Sequence, residues 1–373
     1  LFHMTFTIAS LDDIYDAPYD SVVDVRSPAE FAEDHIPGAM SLPVLSDDER
    51  ARVGVIYTQV SPFDARKVGA ALVARNAARH IENALGDRDG SWCPLVYCWR
   101  GGQRSGALAS VLSQIGWRAG TLVGGYRTYR RLVVAMLRHS PLPHRLVLLD
   151  GNTGTAKTEI LGRLAARGVQ TLDLEALAAH RGSLLGAVNE PQPSQKTFES
   201  ALARKLSGLD PGRPVVAEAE SSRVGNLQLP SSLWRAMREA DRIELTAPLD
   251  VRARYLARTY SELTENRSML RCTLAKFVKF QGHARVKAWQ ELAGAGAFET
   301  LAGELIRWHY DIRYGKSRMV RKVAVCGEVV FDDLTDAELD RAADRICAIV
   351  SCYDRRTSMK GGPSTIQPIP AAG

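Results

Sequence analysis

The 373-residue chain has no run of about eighteen apolar residues and no charged start leading into an apolar stretch. A bilayer-spanning helix and a secretory signal are therefore not expected, and the expected location is cytoplasmic, with no membrane partner. Cysteine is scarce. The six that occur, Cys93, Cys98, Cys272, Cys326, Cys347 and Cys352, show no Cys-x-x-Cys spacing, so neither a disulfide framework nor a structural zinc site is expected. Internal repeats are absent. The formal net charge of +6 is modest, yet basic residues crowd two segments. Arg252, Arg254, Arg258, Arg267, Arg271, Lys276, Lys279, Arg285 and Lys287 form one, and Arg313, Lys316, Arg318, Arg321 and Lys322 the other. Such clustering fits a polyanionic partner and equally fits solvated helix faces neutralised elsewhere.

The length suffices for two ordinary domains. Short buried strands are expected at Ser21 to Ser27 and Met40 to Pro43, and an alanine-rich helix over Asp64 to Leu85. The run Pro94-Leu95-Val96-Tyr97 reads as a strand, Ser105 to Ile115 as a helix and Thr121-Leu122-Val123 as a closing strand. Ser140-Pro141-Leu142-Pro143 breaks the preceding helix and serves as a linker. Beyond it, strands are expected at Leu146 to Leu149, Val169 to Leu172, Val215 to Ala217 and Arg242 to Leu245, with helices between them. From Val251 to about Tyr310 the pattern is mainly helical, and Met319 to Val325 with Val329 to Phe331 suggests a late hairpin or lone strands. The expected domains are residues 8–138, a linker at 139–144, residues 145–350 and a disordered tail at 357–373, rich in Gly, Pro and Ser. Alternating strands and helices imply parallel sheets with covered faces.

Two glycine-bearing loops carry the chemistry. Cys98-Trp99-Arg100-Gly101-Gly102-Gln103-Arg104 lies between an expected strand and an expected helix. Converging N–H groups and the helix start favour thiolate over thiol there, and Arg100 and Arg104 add positive charge. The Cys-x5-Arg spacing is that of cysteine phosphatases and should admit a tetrahedral oxyanion. Cys98, Arg100 and Arg104 are thus the candidate catalytic residues. Asp24 and Arg26 end another expected strand, where they could act in catalysis or form a salt bridge that orients the turn.

The second loop, Gly151-Asn152-Thr153-Gly154-Thr155-Ala156-Lys157-Thr158, follows Leu146-Val147-Leu148-Leu149. It matches the P-loop pattern Gly-x4-Gly-Lys-Thr except at Ala156. All eight residues are candidate phosphate-binding positions, with backbone amides cradling a diphosphate, Lys157 bridging its oxygens and Thr158 able to ligate magnesium. If position 156 requires positive φ, alanine costs about 1 kcal/mol there. Glu218 and Glu220, after the strand Val215-Val216-Ala217, join the cofactor-binding set. They could order magnesium, act on a substrate proton or pair with an arginine, and Asp173 and Glu175 invite the same readings. No residue is assigned as a dedicated metal ligand.

The strings Val23-Asp24-Val25-Arg26-Ser27-Pro28-Ala29-Glu30-Phe31, His35-Ile36-Pro37-Gly38-Ala39, the cysteine loop and Val123-Gly124-Gly125-Tyr126 resemble a rhodanese domain. With Asp173 to Ser183, Pro191 to Glu199, Glu218 to Gly225 and His309-Tyr310-Asp311, the chain from about residue 8 to about residue 320 resembles the bacterial tRNA 2-selenouridine synthase family. Ala156 and Ile312, where that family usually has glycine and proline, depart from its pattern. The resemblance implies an α/β protein. A rhodanese-like parallel-sheet domain would be followed by a P-loop NTPase-like α/β domain with a helical, basic, tRNA-binding C-terminal region. It implies a transferase that geranylates wobble 2-thiouridine of tRNA with geranyl diphosphate and then replaces the geranylthio group with selenium from selenophosphate. Geranyl diphosphate and selenophosphate are the implied co-substrates, magnesium is compatible with the loop, and a selenophosphate-supplying protein is a candidate partner. Trp289, Trp308, Tyr310 and Tyr314 are candidates for stacking on a splayed base or for core packing. Without the resemblance, two other readings stand, a Cys-x5-Arg phosphatase fused to a P-loop kinase-like domain and a silent tRNA-binding scaffold.

Overall fold

The structure, a computed structural model, describes residues 4–180, 191–260, 266–312 and 324–360. The basic cluster from Arg313 to Lys322, Tyr314 and the chain beyond residue 360 lie outside the described residues. Two compact units emerge. The first comprises Leu1–Leu142, Gln192–Gly208 and Pro230–Ser232, and the second the remainder. Gln192–Gly208 thus belongs to the first unit although its sequence position lies within the P-loop segment. Among the described residues no helix is long and apolar enough to cross a membrane.

In the first unit the strands are β1 (Met4–Phe6), β2 (Ser21–Asp24), β3 (Met40–Ser41), β4 (Pro94–Tyr97) and β5 (Gly120–Leu122). They form one parallel sheet in the order β1-β5-β4-β2-β3. β4 is central and fully buried, which explains its unbroken apolar run. Helices Pro62–Asn83 and Gln103–Ile115 carry apolar faces that bury Leu72, Leu108 and Leu112. Ser61 accepts from the N–H groups of Phe63 and Asp64 to start the former, and Gly116 at φ 117° ends the latter. The helix Gln195–Ser207 begins at Ser194, whose side chain accepts from Thr197 N–H. It places the buried Glu199 against Arg130 and Arg138, while Ser200 Oγ donates to Asp34 Oδ2 at 3.0 Å.

In the second unit the strands are β6 (Leu146–Gly151), β7 (Gln170–Leu172), β8 (Val215–Glu218), β9 (Arg223–Val224), β10 (Leu227–Gln228), β11 (Asp241–Thr246) and β12 (Val325–Val330). The main sheet is parallel throughout, in the order β12-β11-β6-β8-β7, and β9 and β10 pair antiparallel apart from it. Of the late hairpin or lone strands expected here, the described residues form β12, an edge strand parallel to β11, while residues 319–323 lie outside the described residues. Helix Asp336–Lys360 supplies Leu339, Ala343 and Ile346 to the core around Val147, Leu149 and Ile243. Thr357–Lys360, expected in the tail, are its last turn. A separate helical cluster buries Leu274, Phe277, Trp289 and Leu305. The chain leaves β6 for β7 and β8 on one side and later reaches β11 on the other. The carboxyl end of β6 is consequently a topological switch point, where open α/β sheets bind ligands.

The first unit also positions its site by a close approach of two backbones. Gly125 has φ 56°, and a Cβ there would lie 2.2 Å from the Cys98 carbonyl oxygen and 2.6 Å from Gly101 N. Gly101, at φ 66°, would collide with the Leu122 oxygen at 2.4 Å. Gly125→Ala is expected to destabilise the protein by at least about 2 kcal/mol, since left-handed strain and a backbone clash add. A denaturant midpoint equal to wild type would show that the two loops do not constrain one another.

Candidate functional site

Cys98 leaves the carboxyl end of β4 and is buried, 4 % exposed. Its Sγ accepts from Gly102 N–H at 3.3 Å and from Ser105 Oγ at 3.3 Å. Burial opposes ionisation of the thiol. Hydrogen bonds from the Ser105 hydroxyl and from the N–H groups of Ser105, Gly102 and Arg100 outweigh it, and the pKa is lowered below the ordinary cysteine value. Cys326 and Cys347 are shifted the other way, chiefly by burial. Cys98 is thereby separated from the structural thiols.

The two arginines of the loop diverge. Arg104 Nη1 donates to Glu30 Oε2 at 2.9 Å, and Arg50 engages the same carboxylate at 3.2 Å. Burial raises the Glu30 carboxyl, but these arginines and the Ser27 N–H bring it below its usual value. Arg100 is exposed and lines a cavity of about 510 Å³ with Gly124, Arg127, Thr128 and Arg131. Asp24 and Arg26 are enclosed, at 0 % and 1 % exposure, and form a 2.7 Å ion pair. Arg26 also donates to the Asp34 carbonyl at 2.6 Å and lies 4.0 Å from the Tyr126 ring centroid. Of the two readings of this pair, the orienting salt bridge is the one its contacts describe. Tyr126 O–H in turn donates to Asp34 Oδ2 at 2.6 Å, and its N–H to the Cys98 carbonyl at 2.9 Å.

At the end of β6 the second loop turns into the helix Lys157–Ala166. Asn152 O accepts from Thr155 Oγ1 at 2.9 Å, and Thr153 O from Arg252 Nη1 at 3.3 Å. A Cβ on Gly151 would meet Thr155 Oγ1 at 2.5 Å, and one on Gly154 would meet Arg252 at 3.0 Å. Ala156 sits at φ 56° and ψ 30°, the left-handed conformation for which glycine is favoured. The loop therefore keeps its turn at a strain of about 1 kcal/mol. Lys157 Nζ donates to Gly151 O at 2.8 Å, folding back over the loop. Thr158 Oγ1 donates to Glu218 Oε1 at 2.8 Å and to Glu175 Oε2 at 3.2 Å, alternatives for one hydroxyl proton.

Glu175 thus joins Glu218 and Glu220, and one oxygen of each lies within 4.8 Å of the others. Burial, then repulsion by Glu218 and Glu220, raises the carboxyl of Glu175; burial, then repulsion by Asp173 and Glu220, raises that of Glu218; and burial raises that of Glu220. Glu218 is 1 % exposed, and its Oε2 has no hydrogen-bond partner among the described residues. A hard divalent cation fits this donor set, carboxylate oxygens beside a threonine hydroxyl at a phosphate loop. Asp173, by contrast, accepts from Ala176 N–H at 2.8 Å and caps a short helix.

Other expectations resolve individually. Arg252 is not a surface cation, because it is 6 % exposed and forms a bidentate pair with Asp311, both contacts 2.9 Å. Arg271, Lys276, Lys279 and Lys287 are exposed. Trp289 and Tyr310 are core residues, whereas Trp308 is 38 % exposed with Arg285 over its ring at 4.4 Å. Sequence reasoning missed Ser105 as a donor to the thiol. Its place immediately after Arg104, in the first turn of the helix, was the available signal.

A thiolate-favouring loop on one parallel sheet and a phosphate loop with a carboxylate cluster on another define an α/β protein of rhodanese-like and P-loop-like units. Residues 7–132 match the rhodanese-like domain, and residues 144–286 match the tRNA 2-selenouridine synthase AAA domain. The tRNA 2-selenouridine synthase of Shewanella denitrificans is 32 % identical over 77 % of this chain and 76 % of its own length. Those of Nitrosomonas europaea and Bdellovibrio bacteriovorus are 34 % and 35 % identical, each over 62 % of this chain. The match spans 61 % and 62 % of those two relatives' lengths, less than two thirds. The chain belongs to the tRNA 2-selenouridine synthase family.

Ser105→Ala should move the pH midpoint of Cys98 alkylation upward, because a donor to the thiolate is lost. Rates of iodoacetamide modification across pH would test this, and an unmoved midpoint would remove Ser105 from the account. The carboxylates supply a second expectation. In chelator-treated protein the folded state retains protons that unfolded glutamate has released, between the ordinary value of 4.5 and about 7 for Glu218, and on to about 9 for Glu175. Unfolding free energy should therefore fall as pH rises through that window. Glu218→Gln should flatten the lower part, and identical slopes for variant and wild type would refute the assignment.

Proposed function

We propose that this chain is a tRNA 2-selenouridine synthase acting in two stages on wobble 2-thiouridine. In the first, the thiocarbonyl sulfur attacks C1 of geranyl diphosphate, the C–O bond breaks and diphosphate leaves. The loop Gly151–Thr158 would receive the diphosphate through its backbone N–H groups and Lys157, which exchanges its bond to Gly151 O for phosphate oxygens. Thr158 with Glu175, Glu218 and Glu220 would hold magnesium, whose charge stabilises the leaving diphosphate.

In the second stage the selenium of selenophosphate bonds to C2 of the nucleoside, the C2–S bond breaks and the geranylthio group takes a proton and leaves as geranyl thiol; water then cleaves the P–Se bond, releasing phosphate and leaving selenium on the base. The loop Cys98–Arg104 would take the oxyanion end of selenophosphate, with Cys98 as its reactive group and Arg100 as a nearby cation. The observation that carries this reading is the combination in one chain of a thiol that accepts from Gly102 N–H and Ser105 Oγ with a lysine-bearing phosphate loop beside three carboxylates. Membership of the family supports the substrate assignment, and tRNA is the proposed macromolecular partner.

Mass analysis of tRNA nucleosides, after separate incubation with geranyl diphosphate and with selenophosphate, tests the proposal. Cys98→Ser should abolish selenium incorporation and leave geranylation intact. Lys157→Ala should lower geranylation by about 100-fold or more and spare selenation of tRNA that is already geranylated. Equal loss of both steps in either variant would refute the division of labour.

A further inference from the structure

The cavity beside the thiol loop has a use that the two-stage chemistry does not require. Its lining is Arg100 from the loop and Gly124, Arg127, Thr128 and Arg131 from the start of the helix Gly125–Val134, around a volume of about 510 Å³. Among the described residues no carboxylate lines it. Neighbouring arginines are paired with acids: Arg104 with Glu30, Arg130 with Asp34 and Glu199, and Arg138 with Glu199. Arg100, Arg127 and Arg131 are exposed, and among the described residues none is paired with an acid.

That arrangement is unfavourable in isolation. Arg127 and Arg131 are like charges four residues apart on one helix face, a pairing that costs a few tenths of a kcal/mol. Arg127 also sits in the first turn, where the helix dipole disfavours a cation. An anion relieves both. The first N–H groups of the helix are not available for it, since Tyr126 N–H donates to the Cys98 oxygen and Arg127 N–H to the Trp99 oxygen. Those same two bonds tie the arginine-bearing turn to the thiol loop, so an anion held by the guanidinium groups has a set position relative to Cys98.

We propose that Arg127 and Arg131, across the cavity from Arg100, seat backbone phosphates of the tRNA next to the nucleoside presented to Cys98. The inference rests on the tRNA reading given above. Guanidinium groups pair well with phosphate, and exposed ones around an open cavity suit a polymer whose phosphates lie along the surface. Phosphate contacts of this kind position the RNA without reading its sequence.

The test uses the full chain and tRNA bearing 2-thiouridine, with affinity measured by fluorescence anisotropy over a series of salt concentrations. Arg127→Gln/Arg131→Gln should bind more weakly, and its slope of log affinity against log salt should be shallower by about 1.4 to 1.8, the loss of two phosphate contacts. Arg127→Lys/Arg131→Lys should keep the wild-type slope, which separates charge from fold. A glutamine variant with the wild-type slope would overturn the inference and leave the proposed function standing. Wild-type protein that binds no tRNA would overturn both. If the glutamine variant keeps the slope but loses thermal stabilisation by inorganic phosphate, the surface takes a small phosphate and the RNA assignment is overturned.

Discussion

A chain that passes from a buried parallel strand straight into a helix leaves backbone N–H groups unspent at the junction, and both candidate sites depend on them. β4 and β6 are the central strands of their sheets, each buried along its whole length, and each ends in such a junction. The turn must be tight, so the backbone pays in conformation. In the first unit two glycines absorb that demand, with Gly101 and Gly125 packed so closely that neither has room for a Cβ. In the second unit Ala156 adopts the left-handed conformation itself, and its side chain, 4 % exposed, joins the core around Ile160 and Leu245. A glycine would relax the strain and forfeit that contact.

The two junctions are tuned in opposite directions by their surroundings. Around Cys98 every partner is a donor, so hydrogen bonding overcomes burial and favours the charged thiolate. Around Thr158 three carboxylates converge in a buried space, so burial and repulsion favour their protonated forms until a cation arrives. One site presents a soft sulfur donor and the other hard oxygen donors. The difference arises from which side chains the folds bring to similar backbone turns.

How much of this was legible varies with sequence distance. The thiol loop, the phosphate loop and their strands could be read because each is a contiguous string with a local physical meaning. Arg104 was legible as a cation but not as the partner of Glu30, which lies on another helix. Arg252 sat in a basic run and could not be recognised as the buried partner of Asp311. The helix Gln195–Ser207 follows the phosphate loop in sequence yet serves the first unit through Glu199 and Ser200. Composition and periodicity do not report which unit a helix joins.

The sequence by itself determined the alternation of strands and helices, the two glycine-bearing turns, the candidate nucleophile and the family resemblance. All of these are carried by residues near one another along the chain, where backbone geometry acts directly. Only the tertiary structure decided that Ser105 supports the thiolate, that Glu175 joins Glu218 and Glu220, and that Arg100 faces Arg127 and Arg131 rather than Arg104. These groupings depend on strand order and helix facing, which are set by burial of apolar surface over the whole unit. A cluster that spans three segments has no signature in any one of them.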